Sequence, residues 1–318
     1  PRSLALAMGS LTTLLLIILA ARTGEGGISV FTFAANLEAV PLSLIGAAYA
    51  TAAFPVLAEH AGAARMEAFR ATLTTAARHI IFWSSVVTVL AIVLRAYIVR
   101  IVLGTGAFDW NDTRLTAAIL AILVIGLLAQ GIILLASRAF YAAHRSWNPL
   151  FVQAGGVVVS VLGAALMLYA ATIWPGLLYF VEALFRVEDV PGTSILFIAL
   201  GATLGQLVML CIALATLRSV APGVAGELVR PAFEGFGAAI LGGAAAYGVL
   251  AYTSTFVPLI PFATSPVIFT EGLVAGMVGL AIAGAVLALL ENKEFQDLKA
   301  SLKKLTSTKA LRPHEPIA

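Results

Sequence analysis

Charged residues and cysteine are both scarce in this chain. Asp, Glu, Lys and Arg make up 11% of its 318 residues, and Cys211 is its one cysteine. A single cysteine excludes an intrachain disulfide and a cysteine metal cluster. The net charge of +3 reflects basic loops and a basic tail rather than a nucleic-acid-binding face, so we expect no nucleic-acid partner.

Motifs for catalysis and cofactor binding are also missing from the sequence. It contains no phosphate-binding glycine loop, no HExxH motif and no pair of carboxylates placed for acid–base chemistry within its apolar runs. The four histidines, His60, His79, His144 and His314, do not have the spacing of metal ligands. We therefore expect no enzymatic activity, no cofactor and no metal site.

Apolar residues dominate the chain instead. They make up 61% of it, with a mean hydropathy of +1.01, whereas soluble domains are about 45–50% apolar. Runs such as 78–103 and 115–143 exceed the ~20 residues that a helix needs to cross a bilayer. Because the runs are continuous rather than alternating, they predict helices and not barrel strands. The expected fold is an all-α integral membrane protein.

About eight membrane-spanning helices are expected. The predicted spans lie near residues 3–20, 28–57, 78–103, 115–143, 148–172, 193–217, 232–254 and 267–290. Pro41 and Pro55 predict a kink in the second span, because proline removes a backbone donor and clashes with the preceding turn. Segments 58–77, 176–189 and 291–305 carry apolar residues at helical spacing among charged ones, which is typical of helices lying in the membrane surface.

The distribution of basic residues predicts the orientation. Lys and Arg total 19, and most of them fall in alternate loops and in the segment after residue 290. Cytoplasmic loops carry the excess of Lys and Arg in membrane proteins. Both termini of this fragment are therefore predicted to be cytoplasmic, which places segment 137–149, with Arg138 and Arg145, in a cytoplasmic hairpin.

The first two spans carry polar residues within their apolar runs. On a helical wheel these residues form one stripe on each span. The stripes comprise Ser3, Ser10 and Thr13 in the first span, and Ser29, Thr32, Asn36 and Ser43 in the second. Such stripes either line a water-filled cavity or form hydrogen bonds between packed helices, and the spacing alone favours neither.

Glu38 lies in the second span but off its polar stripe. It is two residues from Asn36, so on a straight helix it points in nearly the opposite direction. It either pairs with another helix or is rotated inward by the kink at Pro41. We assign to a candidate cavity the residues Ser10, Thr13, Thr32, Asn36 and Ser43, with Glu38 in a gating or pairing role.

The last two spans are rich in small residues. The stretches GFGAAILGGAAAYG at 235–248 and EGLVAGMVGLAIAGA at 271–285 carry them at close intervals. Small residues let helix backbones approach closely, so tight helix packing is the simpler interpretation. A smooth groove for a lipid tail is the alternative.

Two stretches resemble a known family. The stretch GTGAFDWNDTRLTAAILAILVIGLLAQGIILLASRAFYAAHRSWNP at 104–149 resembles the MurJ/MviN family, bacterial flippases of the peptidoglycan precursor lipid II. The family's RGAF-like turn, the acidic-Thr start of its next helix, its R-x-F-Y-A turn and its Thr-Pro appear here as Gly104–Asp109, Asp112–Thr116, Arg138–Ala142 and Asn148–Pro149. The stretch FAANLEAVPLSLIGAAYATAAFPVLA at 33–58 is similar to the family's YADRL helix.

The resemblance implies a fold of fourteen helices, namely two six-helix lobes and two extra helices. Eight spans with both ends inside match the second lobe and the extra pair, so we expect the first lobe to be missing from this fragment. The implied domains are a six-helix lobe at 1–217, two additional helices at 218–290 and a basic cytoplasmic amphipathic tail at 291–318.

The resemblance also implies site residues. Arg138, Phe140, Tyr141 and Pro149 match the family's cytoplasmic motif. The family's central-cavity arginine falls on Asn36, and the aspartate before it on Ala35. The span that carries sodium ligands in some members offers only Ser160 here, so sodium coupling through that site is not expected.

The resemblance thus predicts a lipid II flippase of the bacterial plasma membrane that works by alternating access. Its expected partners are a lipid-linked cell-wall precursor, membrane lipids and the missing lobe. Two alternatives remain open: an exporter of another lipid-linked oligosaccharide, and a membrane scaffold for cell-wall enzymes that transports nothing.

Overall fold

Helices account for nearly all of the described chain. The computed structural model describes residues 2–24, 26–104, 108–256 and 265–308, and within them it contains no strand. The helices there are α1 (Arg2–Ala20), α2 (Gly27–Leu42), α3 (Ala48–Gly62), α4 (Met66–Leu103), α5 (Trp110–Leu123), α6 (Leu127–Ala142), α7 (Asn148–Ile173), α8 (Pro175–Phe185), α9 (Ile195–Leu217), α10 (Val224–Phe256), α11 (Ser265–Leu289) and α12 (Lys293–Thr308). Part of the predicted family turn, 105–107, and the end of the predicted tail, 309–318, lie outside the described residues.

Eight helical segments in the described residues are long and apolar enough to cross a membrane, which confirms the predicted number and fold class. They are Ser3–Ala20, Gly27–Gly62, Met66–Leu103, Trp110–Ala142, Asn148–Ile173, Ile195–Leu217, Val224–Thr253 and Val267–Leu289. The apolar runs alone decide this number, because each segment has at least the ~17 residues that a helix needs to cross a bilayer.

The prediction of a surface helix over 58–77 was wrong. Residues up to Gly62 continue α3, and Met66 begins the 38-residue helix that includes the third span. Phe69 and Leu73 are almost completely buried and pack in the same core cluster as Leu57 of α3. Their apolar surface is therefore covered by the protein, so this segment needs no membrane surface to cover it.

Two spans are interrupted within their length. In the second span, one π-helical turn at Ser43–Ala47 separates α2 from α3. Pro41 has no backbone N–H to donate, and the Ser43 hydroxyl donates to the Val40 carbonyl at 2.7 Å. In the fourth span, a 3-10 turn at Val124–Gly126 separates α5 from α6. The interruption follows Pro41, one of the two prolines at which a kink is predicted, whereas Pro55 lies inside α3 without interrupting it.

The first nine helices form a lobe around α5 and α6. Ile119, Ile122 and Leu127 in these two helices are almost completely buried. Helix α2 packs on α5, α3 packs on α4 and α6, and α1 and α9 pack on α7. Because most side chains of α5 and α6 are buried, the apolar sequence of the fourth span serves as the centre of this lobe.

Helices α10 and α11 pack against each other and against α4. A methyl group built on Gly242 would lie 2.5 Å from the Gly279 carbonyl oxygen, so the two backbones are in direct contact. This supports tight packing of the small residues in these spans. Helix α12 follows α11, and its Phe295 and Leu298 pack beside Leu287.

Candidate functional site

A cavity with several polar side chains in its wall lies between α1, α2, α5, α6, α7 and α9. Its volume is about 350 Å³. Apolar side chains such as Leu16, Phe31 and Ile133 form much of the wall. The polar residues that line it are Thr12, Thr13, Glu38, Gln130, Gln153, Ser160 and Gln206. A cavity of this size with several hydrogen-bonding groups is suited to hold water or a small polar species.

Glu38 is the acidic group of this cavity. Its side chain is 6% exposed, and its Oε1 accepts a hydrogen bond from the Gln130 side-chain amide of α6. Among the described residues that line the cavity there is no Lys, Arg or His. The carboxyl group therefore lies within the lobe with a neutral partner and no cation.

The helical repeat of α2 explains the direction of Glu38. Phe31, Ala34 and Glu38 recur at spacings of three and four and are all buried, so Glu38 continues the apolar face of the helix. Asn36 lies on the other side of α2 and is exposed. Of the two alternatives for Glu38, the structure shows the first: its side chain pairs with Gln130 of another helix, α6.

The polar stripes of α1 and α2 lie on the surface of the described lobe. Ser10, Thr13, Asn36 and Ser43 are exposed, and Thr32 is half-buried. The hydroxyls donate to carbonyls of their own helices: Ser10 to Leu6 at 3.5 Å, Thr13 to Gly9 at 3.3 Å, Thr32 to Ile28 at 2.7 Å, and Ser43 to Val40 at 2.7 Å. These bonds stay within each helix, and the assignment of the stripes to a substrate cavity stays a prediction.

The structure separates the predicted site residues into two groups. Thr13 and Glu38 line the cavity inside the lobe, whereas Ser10, Thr32, Asn36 and Ser43 are not among its lining residues. The side chains of Glu38 and Asn36 therefore lie in different environments, although the two residues are only two positions apart.

The three glutamines of the cavity were missed by sequence reasoning. Each lies inside an apolar run, in LLAQGII, LFVQAGG and LGQLVML, where burying an amide without a partner is unfavourable. That isolation was the available signal, but it does not show that Gln130, Gln153 and Gln206 meet. Within the described residues, the Gln206 Oε1 atom is buried without a hydrogen-bond partner.

The predicted family motif forms the turn between α6 and α7. Phe140 is 1% exposed, and its carbonyl accepts from the Arg145 backbone N–H at 2.8 Å. Pro149 is buried in the first turn of α7, where a backbone N–H would have no helical hydrogen-bond partner. Tyr141 is half-buried. These contacts show how the motif holds the turn.

Arg138 differs from the rest of this motif because its side chain interacts with another helix. Its guanidinium carbon lies 5.7 Å from the centre of the Phe54 ring of α3, within the range of a cation–π interaction. The side chain is half-buried. Arg138 thus connects the end of α6 to α3.

An arginine also anchors the loop between α8 and α9. The two terminal nitrogens of Arg114 in α5 donate to the two carboxylate oxygens of Asp189, at 2.6 and 2.8 Å. Arg114 also donates to the Arg186 carbonyl. The hydrogen bond from Arg114 is the main cause that lowers the pKa of Asp189 below its ordinary value.

Comparisons with known proteins connect this lobe to one family. The family model described as "MurJ: Lipid II flippase MurJ" matches residues 1–267. A protein of Thermotoga maritima named "Probable lipid II flippase MurJ" is 27% identical over 146 residues, which cover 46% of this chain and 30% of that protein. A protein of the same name from Rhizobium tropici is 27% identical over 136 residues, covering 43% of this chain and 26% of that protein.

The fold comparison agrees with the sequence comparisons. The structure titled "Lipid II flippase MurJ, inward closed conformation" matches with a TM-score of 0.63 at 16% identity, over 91% of this chain and 53% of that chain. The present chain thus spans about half the length of that solved protein. At this identity the match shows the fold alone.

Proposed function

The chain belongs to the MurJ family of lipid II flippases, and from this premise we propose that it takes part in moving a lipid-linked peptidoglycan precursor across the bacterial inner membrane. The family match over residues 1–267 is the observation that carries this proposal. The eight helical segments of membrane-spanning length agree with it.

We propose the same division of the chain as the sequence predicts. Residues 1–217 form one six-helix lobe, 218–290 add two spanning helices, and 291–318 form a cytoplasmic tail. The excess of basic residues in alternate loops supports cytoplasmic locations for both ends of this fragment.

Transport would proceed by alternating access. The lobe would rock against a second lobe, and the polar head group would cross between them while the lipid tail stays in the membrane. The exposed stripes on α1 and α2 would form this lobe's part of the path, since Asn36 presents amide donors and an acceptor there. Asn36 is neutral, so the cationic side chains that bind the pyrophosphate would belong to residues outside this stripe.

Arg138 is the described cation that we assign to the cytoplasmic end of the path. It carries no ion pair in the described part of the chain, and it is held over the Phe54 ring. A guanidinium can donate to phosphate oxygens in a fixed planar geometry. Arg138 would therefore contact the pyrophosphate when the path is open to the cytoplasm.

A vesicle assay tests this function. The natural full-length protein is reconstituted with fluorescent lipid II, and the label that becomes accessible from the far side is measured over time. We expect wild type to expose the label, and Asn36→Leu combined with Ser43→Ala to slow this at least tenfold. Thr172→Val is the matched control, because its exposed hydroxyl donates to the Tyr169 carbonyl of its own helix at 2.7 Å but lies on α7.

The same assay separates the alternatives. A different lipid-linked oligosaccharide replaces lipid II in a parallel reaction, and faster movement of that lipid would favour the other exporter. No movement of any lipid by wild-type protein would contradict transport and favour a scaffold.

A further inference from the structure

We propose that Glu38 and Gln130 form a proton-binding site inside the lobe, and that release of the proton separates α2 from α6. The proposal concerns the cavity around Glu38 within one lobe, which shares only Thr13 with the stripe residues assigned to the lipid path. It therefore does not depend on which lipid is moved.

The surroundings of Glu38 are neutral on every side. Helix α1 contributes Thr12 and Thr13 to the cavity, α6 contributes Gln130, α7 contributes Gln153 and Ser160, and α9 contributes Gln206. Within the described lining, Glu38 is the titratable group, and no charged group faces it. A carboxylate enclosed in a membrane-embedded lobe without a cation is strongly unfavourable, and binding a proton removes the charge.

The cavity gives the proton a path to water. Thr13 lines it and is also exposed, so the cavity reaches the surface of the lobe beside α1. Its volume of about 350 Å³ is enough for several water molecules. The hydroxyls and amides of the wall, on Thr12, Thr13, Gln130, Gln153 and Ser160, supply hydrogen-bond partners for such water.

The Glu38–Gln130 hydrogen bond joins two helices close to the point where each is interrupted. Glu38 lies three residues before Pro41, and the π-helical turn follows at Ser43–Ala47. Gln130 lies four residues after the 3-10 turn at Val124–Gly126. Interruptions of this kind often mark hinges, because backbone hydrogen bonds are already rearranged there. A change at this hydrogen bond can therefore tilt α2 at low cost.

The chemistry is a simple proton exchange. In the closed state Glu38 is a carboxylic acid, whose Oε1 accepts from Gln130 and whose O–H donates to a cavity acceptor. On opening, water takes the proton, leaving a carboxylate and a hydronium ion. The carboxylate then requires hydration, which draws water between α2 and α6 and holds them apart until a proton returns.

Infrared spectroscopy of the full-length protein in lipid nanodiscs tests the proton directly. A protonated carboxylic acid has a C=O stretch that is distinct from that of a carboxylate. We expect Glu38→Gln to remove one such band that wild type shows at neutral pH, and alkaline pH to remove it reversibly from wild type. Glu59→Gln is the control, because Glu59 is an exposed carboxyl paired with Arg65, and it should keep the band.

Two spectroscopic outcomes would overturn the proposal. Identical spectra for wild type and Glu38→Gln at neutral pH would mean that Glu38 holds no proton there. A band that appears only after choline replaces sodium would mean that a metal cation, not a proton, neutralises the carboxylate.

Distance measurements test the coupled movement. Spin labels at Val40 of α2 and Leu134 of α6, both exposed, are introduced into a Cys211→Ser background. We expect the distance between them to increase from acidic to alkaline pH in this background and to be independent of pH after Glu38→Gln. A shift that persists in Glu38→Gln, or that is missing from the background protein, would contradict the coupling. If these signals behave as expected while no lipid moves in vesicles, the proton site stands and the flippase proposal fails.

Discussion

Gly46 and Gly131 bring the second and fourth spans into backbone contact. A methyl group built on Gly46 would lie 2.8 Å from the Gly131 Cα atom, so no side chain separates the two segments there. Gly46 belongs to the π-helical turn, and Gly131 directly follows Gln130 in α6. The Glu38–Gln130 hydrogen bond and this glycine contact thus lie together at one helix crossing.

We predict that Gly46→Ala destabilises the protein by about 1–3 kcal/mol, because the added methyl group forces two packed backbones apart. Thermal unfolding in detergent, followed by tryptophan fluorescence, measures the effect. Gly62→Ala is the matched control, since a methyl group at Gly62 meets nothing within 4 Å, and its midpoint should not fall. An unchanged midpoint for Gly46→Ala would contradict the close contact.

We predict that Arg78→Met releases α12 from the protein. Arg78 of α4 forms an ion pair with Glu294 of α12, whose side chain is 5% exposed. Removing the cation leaves a buried carboxyl group with one partner fewer, which costs about 1–3 kcal/mol. Limited trypsin digestion at Lys299 and Lys303 should become faster.

The control for Arg78→Met is Arg65→Met. Its ion pair with Glu59 has both side chains more than half exposed, at 54% and 68%, and exposed pairs contribute at most about 1 kcal/mol. Equal trypsin rates for Arg78→Met and wild type would show that the ion pair does not hold α12.

We predict that the contribution of Asp189 to stability disappears in acid. Its pKa is lowered in the folded chain, mainly by the hydrogen bond from Arg114. A carboxyl with a lowered pKa stabilises the fold above its unfolded-state pKa, and this contribution is lost as the pH falls through the folded-state pKa. Wild type should therefore melt above Asp189→Asn at neutral pH, and the two midpoints should converge below about pH 4.

The neighbouring Glu188 provides the comparison for this pH profile. It acts on Arg114 through charge, whereas Asp189 binds both terminal nitrogens. Glu188→Gln should therefore lower the midpoint less than Asp189→Asn does. A constant gap between wild type and Asp189→Asn down to strongly acidic pH would rule out this ion pair as the cause.

We predict that Thr88→Val and Thr203→Val each lower the free energy of unfolding by about 0.5–1.5 kcal/mol. Both side chains are buried. Thr88 donates to the Val124 carbonyl at 3.1 Å, and Thr203 donates to the Ile122 carbonyl at 3.0 Å. These hydroxyls supply donors to carbonyls at the 3-10 turn between α5 and α6, where the regular helical bonding is interrupted.

Unfolding titrations with dodecyl sulfate in mixed micelles measure these losses. Thr75→Val serves as the control, because the exposed Thr75 hydroxyl donates to the Ala71 carbonyl of its own helix at 2.9 Å. If Thr88→Val lowers the free energy of unfolding no more than Thr75→Val does, the hydrogen bond from Thr88 does not stabilise the 3-10 turn.

Much of the fold follows from local sequence. The eight spans could be predicted because apolar runs of bilayer length leave the chain few alternatives. The opposite directions of Asn36 and Glu38 also follow from helical geometry alone. The prediction of a surface helix over 58–77 was wrong because local sequence does not decide what covers an apolar helix face. The amphipathic pattern shows that Phe69 and Leu73 must be shielded from water. The pattern is the same whether lipid or another part of the protein buries them.

What the sequence by itself determined is the number of spans, the faces of each helix and the membership of a family. Only the tertiary structure decided that Glu38 meets Gln130, 92 residues away, and that glutamines from three helices share one cavity. The periodicity of a helix shows which of its side chains share a face. It does not show which other helix packs against that face. That choice depends on the packing of the whole lobe, where close approaches such as Gly46 to Gly131 set the positions of the helices.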